Sequence, residues 1–177
     1  MAIKNFKLYS SNSKSDQARA GDVITATFVS DDVVSGVLIG GKKATVTVSG
    51  STYTAKYKVQ DLDKFANTNV GITLKNNTIS SFTGGVTVDT VAPVVKINSV
   101  GSDNGDVKQA KVGDTIKVVF TSSDPVTEVT IGGQKVTVTS SSGLYTAAYK
   151  VKAGDENLGG DIKVTAQDAA GNVTIQT

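Results

Sequence analysis

The sequence predicts an all-β protein built as two tandem β-sandwiches, and three observations carry that expectation. Threonine, valine, serine and glycine dominate its 177 residues. The β-branched pair among them is stiff at χ1 and suits a pleated surface, whereas the helix formers leucine, glutamate, glutamine and arginine are scarce. The chain also matches itself at an offset of about 92 residues, the size of one small sandwich. Within each copy the apolar positions alternate with a period of two, as they do in strands that bury one face.

Residues 18–59, ARAGDVITATFVSDDVVSGVLIGGKKATVTVSGSTYTAKYKV, align without a gap on residues 110–151, AKVGDTIKVVFTSSDPVTEVTIGGQKVTVTSSSGLYTAAYKV, with about 23 identities in 42 positions. Such agreement marks a duplicated domain. The expected organisation is a first domain at 1–88, a short connector at 89–93 (Asp89-Thr90-Val91-Ala92-Pro93) and a second domain at 94–177. Pro93 lacks an amide donor and biases Ala92 towards extended backbone, which suits a stiff joint and stops a sheet ladder from running across it.

A first strand is expected at 3–8, and at 94–100 in the second copy. The next strand puts Ile24, Ala26 and Phe28 on one face and Thr25 and Thr27 on the other, matched by Ile116, Val118 and Phe120. Val37 and Ile39 lead into Gly40-Gly41, whose tolerance of positive φ fits a two-residue hairpin turn. Ala44, Val46 and Val48 are then expected on the return strand, as are Val136 and Val138 after Val129, Ile131 and Gly132-Gly133. Tyr53, Ala55, Tyr57 and Val59 share a face of the following strand, like Tyr145, Ala147, Tyr149 and Val151. These tyrosines serve the core, with the hydroxyl reaching an edge partner. Val70, Ile72 and Leu74, or Ile162, Val164 and Ala166, form another strand, and residues 86–88 or 173–175 the last. About seven short strands per copy is the count of an immunoglobulin-like sandwich.

Several function classes fall away for chemical reasons. The chain has no cysteine and no histidine, which removes thiol nucleophiles, disulfides, imidazole acid–base chemistry and the usual zinc and copper ligand sets. Its serines and threonines show no G-x-S-x-G elbow and its acidic residues fall in expected turns, so no enzyme is expected. The formal charge is +2, from 18 basic and 16 acidic residues scattered along the chain, and no basic face marks a nucleic-acid partner. No apolar run approaches the roughly 20 residues that a bilayer crossing needs, so no membrane insertion is expected. Met1-Ala2-Ile3-Lys4 lacks the charged and apolar pattern of a leader, so the chain is expected to be either cytosolic or a piece of a longer polypeptide, and a piece is the favoured expectation.

Val88-Asp89-Thr90-Val91-Ala92-Pro93 resembles the DTTAP-type joint that opens many bacterial immunoglobulin-like repeats. Gly113-Asp114-Thr115 resembles the turn into their second strand, and residues 165–173, TAQDAAGNV, their D-x-AGN closing hairpin. Over essentially its whole length the chain thus resembles the Big-type tandem repeats of S-layer proteins, adhesins and multidomain surface enzymes. The first copy keeps Gly21-Asp22 but replaces the closing hairpin by the longer segment 75–85. The resemblance implies a structural or spacer module of an extracellular protein at the bacterial cell surface, forming a semi-rigid two-domain rod. Its implied partners are neighbouring domains of the same polypeptide, further copies of itself, or a cell-wall or host glycan.

Calcium is the one candidate cofactor, since hard cations take six to eight oxygens and Asp side chains on adjacent loops can supply several. Asp89, Asp124 and Asp168 are expected near the joint, where Asp61 and Asp63 could approach from the first domain. An ion there would stiffen the joint, as the resemblance to calcium-rigidified adhesin repeats implies. The plainer expectation is that these aspartates hydrogen-bond turn amides. A carbohydrate-binding accessory module is the alternative function, but sugar sites display coplanar aromatic rings and this chain has no tryptophan. Tyr9 is the aromatic that the alternation does not place.

Overall fold

A computed structural model describes residues 3–155, 158 and 161–177; Met1 and Ala2, read above for a leader, lie outside them. Among the described residues every regular element is a strand, and no helix is long and apolar enough to cross a membrane. Contacts divide the chain into a first unit, Met1–Val91, and a second, Ala92–Thr177.

The first unit runs β1 (Lys4–Ser10), β2 (Gln17–Ala18), β3 (Val23–Val29), β4 (Val34–Ile39), β5 (Lys42–Lys43), β6 (Thr45–Ser49), β7 (Thr52–Lys58), β8 (Lys64–Phe65), β9 (Asn69–Leu74), β10 (Ile79–Thr83) and β11 (Thr87–Asp89). One sheet has the order β1-β3-β7-β6 and the facing one β10-β9-β4-β5, which is the strand order of an immunoglobulin-like sandwich with a short extra edge strand. A small third sheet, β2-β11-β8, lays β11 parallel to β2 and antiparallel to β8. The period-two pattern is what the core uses. Ile24, Ala26 and Phe28 of β3, Val37 and Ile39 of β4, Ala55 of β7, and Val70 and Ile72 of β9 are all at most 1% exposed. Register sets Phe28 opposite Tyr53, and their rings stack with centroids 5.5 Å apart, a contact of about 0.5–1.5 kcal/mol beyond the area it buries.

The second unit repeats this with β12 (Val95–Ser102), β13 (Thr115–Ser122), β14 (Val126–Ile131), β15 (Gln134–Lys135), β16 (Thr137–Ser141), β17 (Leu144–Lys150), β18 (Ile162–Gln167) and β19 (Val173–Gln176). Its sheets, β12-β13-β17-β16 and β15-β14-β18-β19, have the same orders, and Phe120 stacks on Tyr145 at 5.3 Å. The fold is two tandem immunoglobulin-like sandwiches.

Two details depart from the sequence expectation. The Gly-Gly turn is a hairpin, with φ of 57° and 77° at Gly40 and Gly41, but its return strand β5 is two residues long. Ala44 N–H closes on Val37 O at 2.9 Å, and the chain then crosses to the other sheet, where β6 pairs with β7. Val46 therefore lies opposite Ala55 and Val48 is 58% exposed. A period of two tells which face a strand buries, not which sheet it joins. The second unit crosses at Val136 in the same way.

The other departure is the last strand of the first unit. Residues 86–88 do not close the sandwich; β10 does, paired with β9 from Ile79↔Thr73 to Thr83↔Asn69. Asn77 takes a φ of 66° and Asn76 Oδ1 receives Thr78 N–H at 3.0 Å, so the turn is tight and the strand returns early. Phe82 of β10 then stacks on Phe6 of β1, centroids 4.5 Å apart, and the segment that follows is released to form β11.

Candidate functional site

β7 ends one residue after Tyr57, and the chain turns back through Gln60 to Asp63, whose side chain is only 5% exposed. Asp63 Oδ2 accepts the Tyr57 hydroxyl at 2.6 Å and Gln60 N–H at 2.8 Å, while Lys42 Nζ stands 3.6 Å from Oδ1. The Asp63 carbonyl receives Thr90 Oγ1 at 3.1 Å, so the same residue also ties down the segment after β11. Burial pushes the Asp63 carboxyl up, but the Tyr57 hydroxyl, the Gln60 amide and the Lys42 charge outweigh it and hold it below its ordinary value. Burial, then the bond to Asp63 and its charge, push the Tyr57 phenol up to about 12. The second unit repeats the arrangement, with Tyr149 OH on Asp155 Oδ2 at 2.8 Å and Lys152 N–H on the same oxygen at 2.7 Å. Asp155 is again lowered, by the Lys152 amide and the Tyr149 hydroxyl, and Tyr149 is raised by its bond to Asp155.

A carboxylate held ionised and a phenol held protonated neither take nor give a proton near neutrality. The pair is a latch on the turn after β7 and β17, not an acid–base couple. Sequence reasoning puts Tyr57 in the core with its hydroxyl at an edge and Asp63 near the joint; the structure joins the two. The signal was present, because Tyr57 and Asp63 recur with the same spacing as Tyr149 and Asp155.

The aspartates considered for calcium sit as follows. Asp89 belongs to the first unit, opposite Lys64 in β11, and its Oδ1 receives Val91 N–H at 3.0 Å. Asp124 and Asp168 belong to the second unit, on two loops that meet where Gln167 N–H bonds Pro125 O at 3.1 Å. Asp124 Oδ2 accepts Ser123 Oγ at 2.6 Å, and the Asp124 carbonyl accepts Ser122 Oγ at 2.6 Å. Asp168 takes Asn172 N–H on Oδ1 at 2.9 Å and Asn172 Nδ2 on Oδ2 at 2.7 Å. Asp61 is exposed. Among the described residues no three His, Cys, Asp or Glu side chains converge to hold a metal ion. The Asp89, Asp124 and Asp168 carboxylates accept bonds within their own turns, and Asp22 and Asp114 receive Asn12 Nδ2 at 2.7 Å and Asn104 Nδ2 at 2.6 Å.

Tyr9 lies on β1 and is 44% exposed; the other tyrosines and the phenylalanines are buried or half-buried.

No protein-family profile matches the chain. No curated protein matches it in sequence. Among solved structures, the fibronectin(III)-like modules of Clostridium thermocellum CbhA are 19% identical over 90% of this chain and 84% of theirs, with a TM-score of 0.44. The surface glycan-binding protein PbSGBP-B from Prevotella bryantii is 14% identical over 99% of this chain, which spans 42% of that protein, with a TM-score of 0.33. The titin Ig tandem domains A164-A165 are 10% identical over 99% of this chain and 95% of theirs, with a TM-score of 0.32. At these identities nothing that those proteins bind carries over to this one.

Proposed function

We propose that the chain is a non-catalytic structural module, a spacer segment of a bacterial cell-surface protein of the S-layer or adhesin kind. The supporting observation is where its polar groups go. Among the described residues no buried side-chain nitrogen or oxygen lacks a hydrogen-bond partner, the Tyr57 and Tyr149 hydroxyls are taken by Asp63 and Asp155, and Asp63, Asp155 and Asp168 also accept amides of their own turns. The two cores are apolar, the outward positions carry Thr, Ser and Lys, and the joint at 88–93 has the sequence of a connector between repeats. In this reading the protein works through its fold and its neighbours.

The test is a glycan array followed by calorimetric titration of the full chain with each polysaccharide that scores. A spacer gives no saturable isotherm. Saturable one-to-one binding, lost on replacing Tyr9 by alanine, would instead make the chain a sugar-binding accessory module.

A further inference from the structure

The two units share strand orders but not burial. Ala18, Ile24 and Val70 are each 0% exposed, whereas their counterparts differ: Ala110 is exposed, and Ile116 and Ile162 are half-buried. Leu8 is half-buried and its counterpart Val100 is 51% exposed. Replacements at these positions are conservative, so side-chain chemistry does not account for the difference.

What covers these positions in the first unit is β11. Val88 pairs with Ala18 and Thr87 with Gln17, Thr87 N–H bonds Asp16 O at 2.9 Å, and Val86 and Val88 are each 1% exposed in the same core as Ala18, Ile24, Ile39, Val59 and Val70. In the second unit the counterpart of β2, residues 109–110, pairs with no described strand, and the Lys108 carbonyl, the counterpart of Asp16 O, receives no backbone bond among the described residues. The Gln109 carbonyl is taken instead by the Ser102 hydroxyl. Beside this edge lies a groove of about 610 Å³ lined by Val100, Ala110, Ile116, Ile131, Val151 and Ile162. Each of these is the duplicate of a residue that belongs to, or packs against, the core cluster containing Val86 and Val88 in the first unit.

We propose that this groove seats a β-strand: an extended segment with aliphatic side chains at alternate positions, laid parallel to residues 108–110 as β11 lies along β2. Strand addition gains main-chain hydrogen bonds along an open edge and specificity from pockets for every second side chain. Both are on offer, the edge at Lys108 and Ala110 and the pocket in the apolar wall. A small apolar ligand would use the wall alone. The first unit supplies the template for the occupant, residues 85–90, GVTVDT.

The experiment appends FTGGVTVDT, residues 82–90, directly after Thr177 of the full chain, because Gln176 lies opposite Val164 as Ser80 lies opposite its counterpart Ile72 and the β11 valines follow six and eight residues later, and compares it with the same extension carrying V86S and V88S. Joining the strand in cis raises its effective concentration to the millimolar range. The valine extension is expected to slow amide exchange at Ala110, Ile116 and Ile162 at least tenfold and to raise the thermal midpoint by about 5 °C, while the serine extension leaves both at the level of the unextended chain. In an Ala110→Arg background the two extensions become indistinguishable. Equal protection by both extensions, no protection by either, or a gain that survives Ala110→Arg overturns the proposal. So does protection in the unextended chain that rises with protein concentration, because the groove would then belong to a second copy.

Discussion

A hydroxyl-to-carboxylate bond of 2.6 Å at a side chain only 5% exposed makes Tyr57 and Asp63 the most consequential polar pair of the first unit. Hydrogen bonds to charged groups contribute about 1.5–3 kcal/mol, and removing one partner also leaves the other short of a bond in a site that water reaches poorly. Tyr57→Phe is therefore expected to destabilise the first unit by about 2 kcal/mol, measured by chemical denaturation with amide exchange to locate the loss. The pH dependence has two limbs of opposite sign. Asp63 is held below its ordinary value, so its contribution is whole above about pH 4 and is lost as pH falls through the folded value. Tyr57 is raised to about 12, so its contribution is whole below the ordinary tyrosine value of about 10 and is lost as pH climbs towards the folded value. Denaturation midpoints across both ranges should show the acid limb flattened in Asp63→Asn and the alkaline limb flattened in Tyr57→Phe. At this scale the sequence exposed the spacing of the pair in both copies but not its bond, since a turn that folds back on its own strand leaves no periodicity to read.

Strands of six to eight residues were legible because alternation needs several repeats of the pattern to declare a face; β3, β7, β9 and their duplicates fall where the apolar positions placed them, whereas the five-residue β10, whose apolar Ile79 and Phe82 stand three apart, was missed. Strands of two or three residues were not legible. Gln17–Ala18, Lys64–Phe65 and Thr87–Asp89 are too short to alternate, so the third sheet was hidden and residues 86–88 were expected to close the sandwich instead. That sheet is nonetheless a wall of the core. Val88→Ser removes buried aliphatic surface at a site 1% exposed and introduces a hydroxyl there, so a loss of about 2–3 kcal/mol is expected, with amide exchange rising at Ala18 and Phe65 ahead of β3 and β7. The hairpin glycines differ from each other. A Cβ on Gly40 would stand 2.6 Å from the Phe65 ring in a left-handed conformation, whereas one on Gly41 meets nothing within 4 Å. Gly40→Ala should therefore cost clearly more than Gly41→Ala, by about 1 kcal/mol or more in urea denaturation, because both bear the cost of positive φ and only the first must move the ring.

Across the whole chain the duplication was the most legible feature, and the charge balance bears on the cation expectation, because a repeat array stiffened by calcium concentrates acidic side chains where ions bind. Here 16 acidic residues face 18 basic ones, so little carboxylate repulsion waits to be relieved by an ion. Both oxygens of Asp168 are already engaged by Asn172, Asp124 Oδ2 by Ser123, and Asp89 Oδ1 by the Val91 amide. A calcium shell of about six to eight oxygens would have to displace those donors and then find most of its ligands among carbonyls and water. The thermal midpoint in excess EDTA should accordingly equal that in excess calcium, and Asp168→Asn should cost about 1 kcal/mol by the same amount in either medium, since what it weakens is the turn. A midpoint that rises with calcium and loses the rise in Asp168→Asn would put an ion at that pole of the second unit, and the turn hydrogen bonds would then be the arrangement the loop adopts without it.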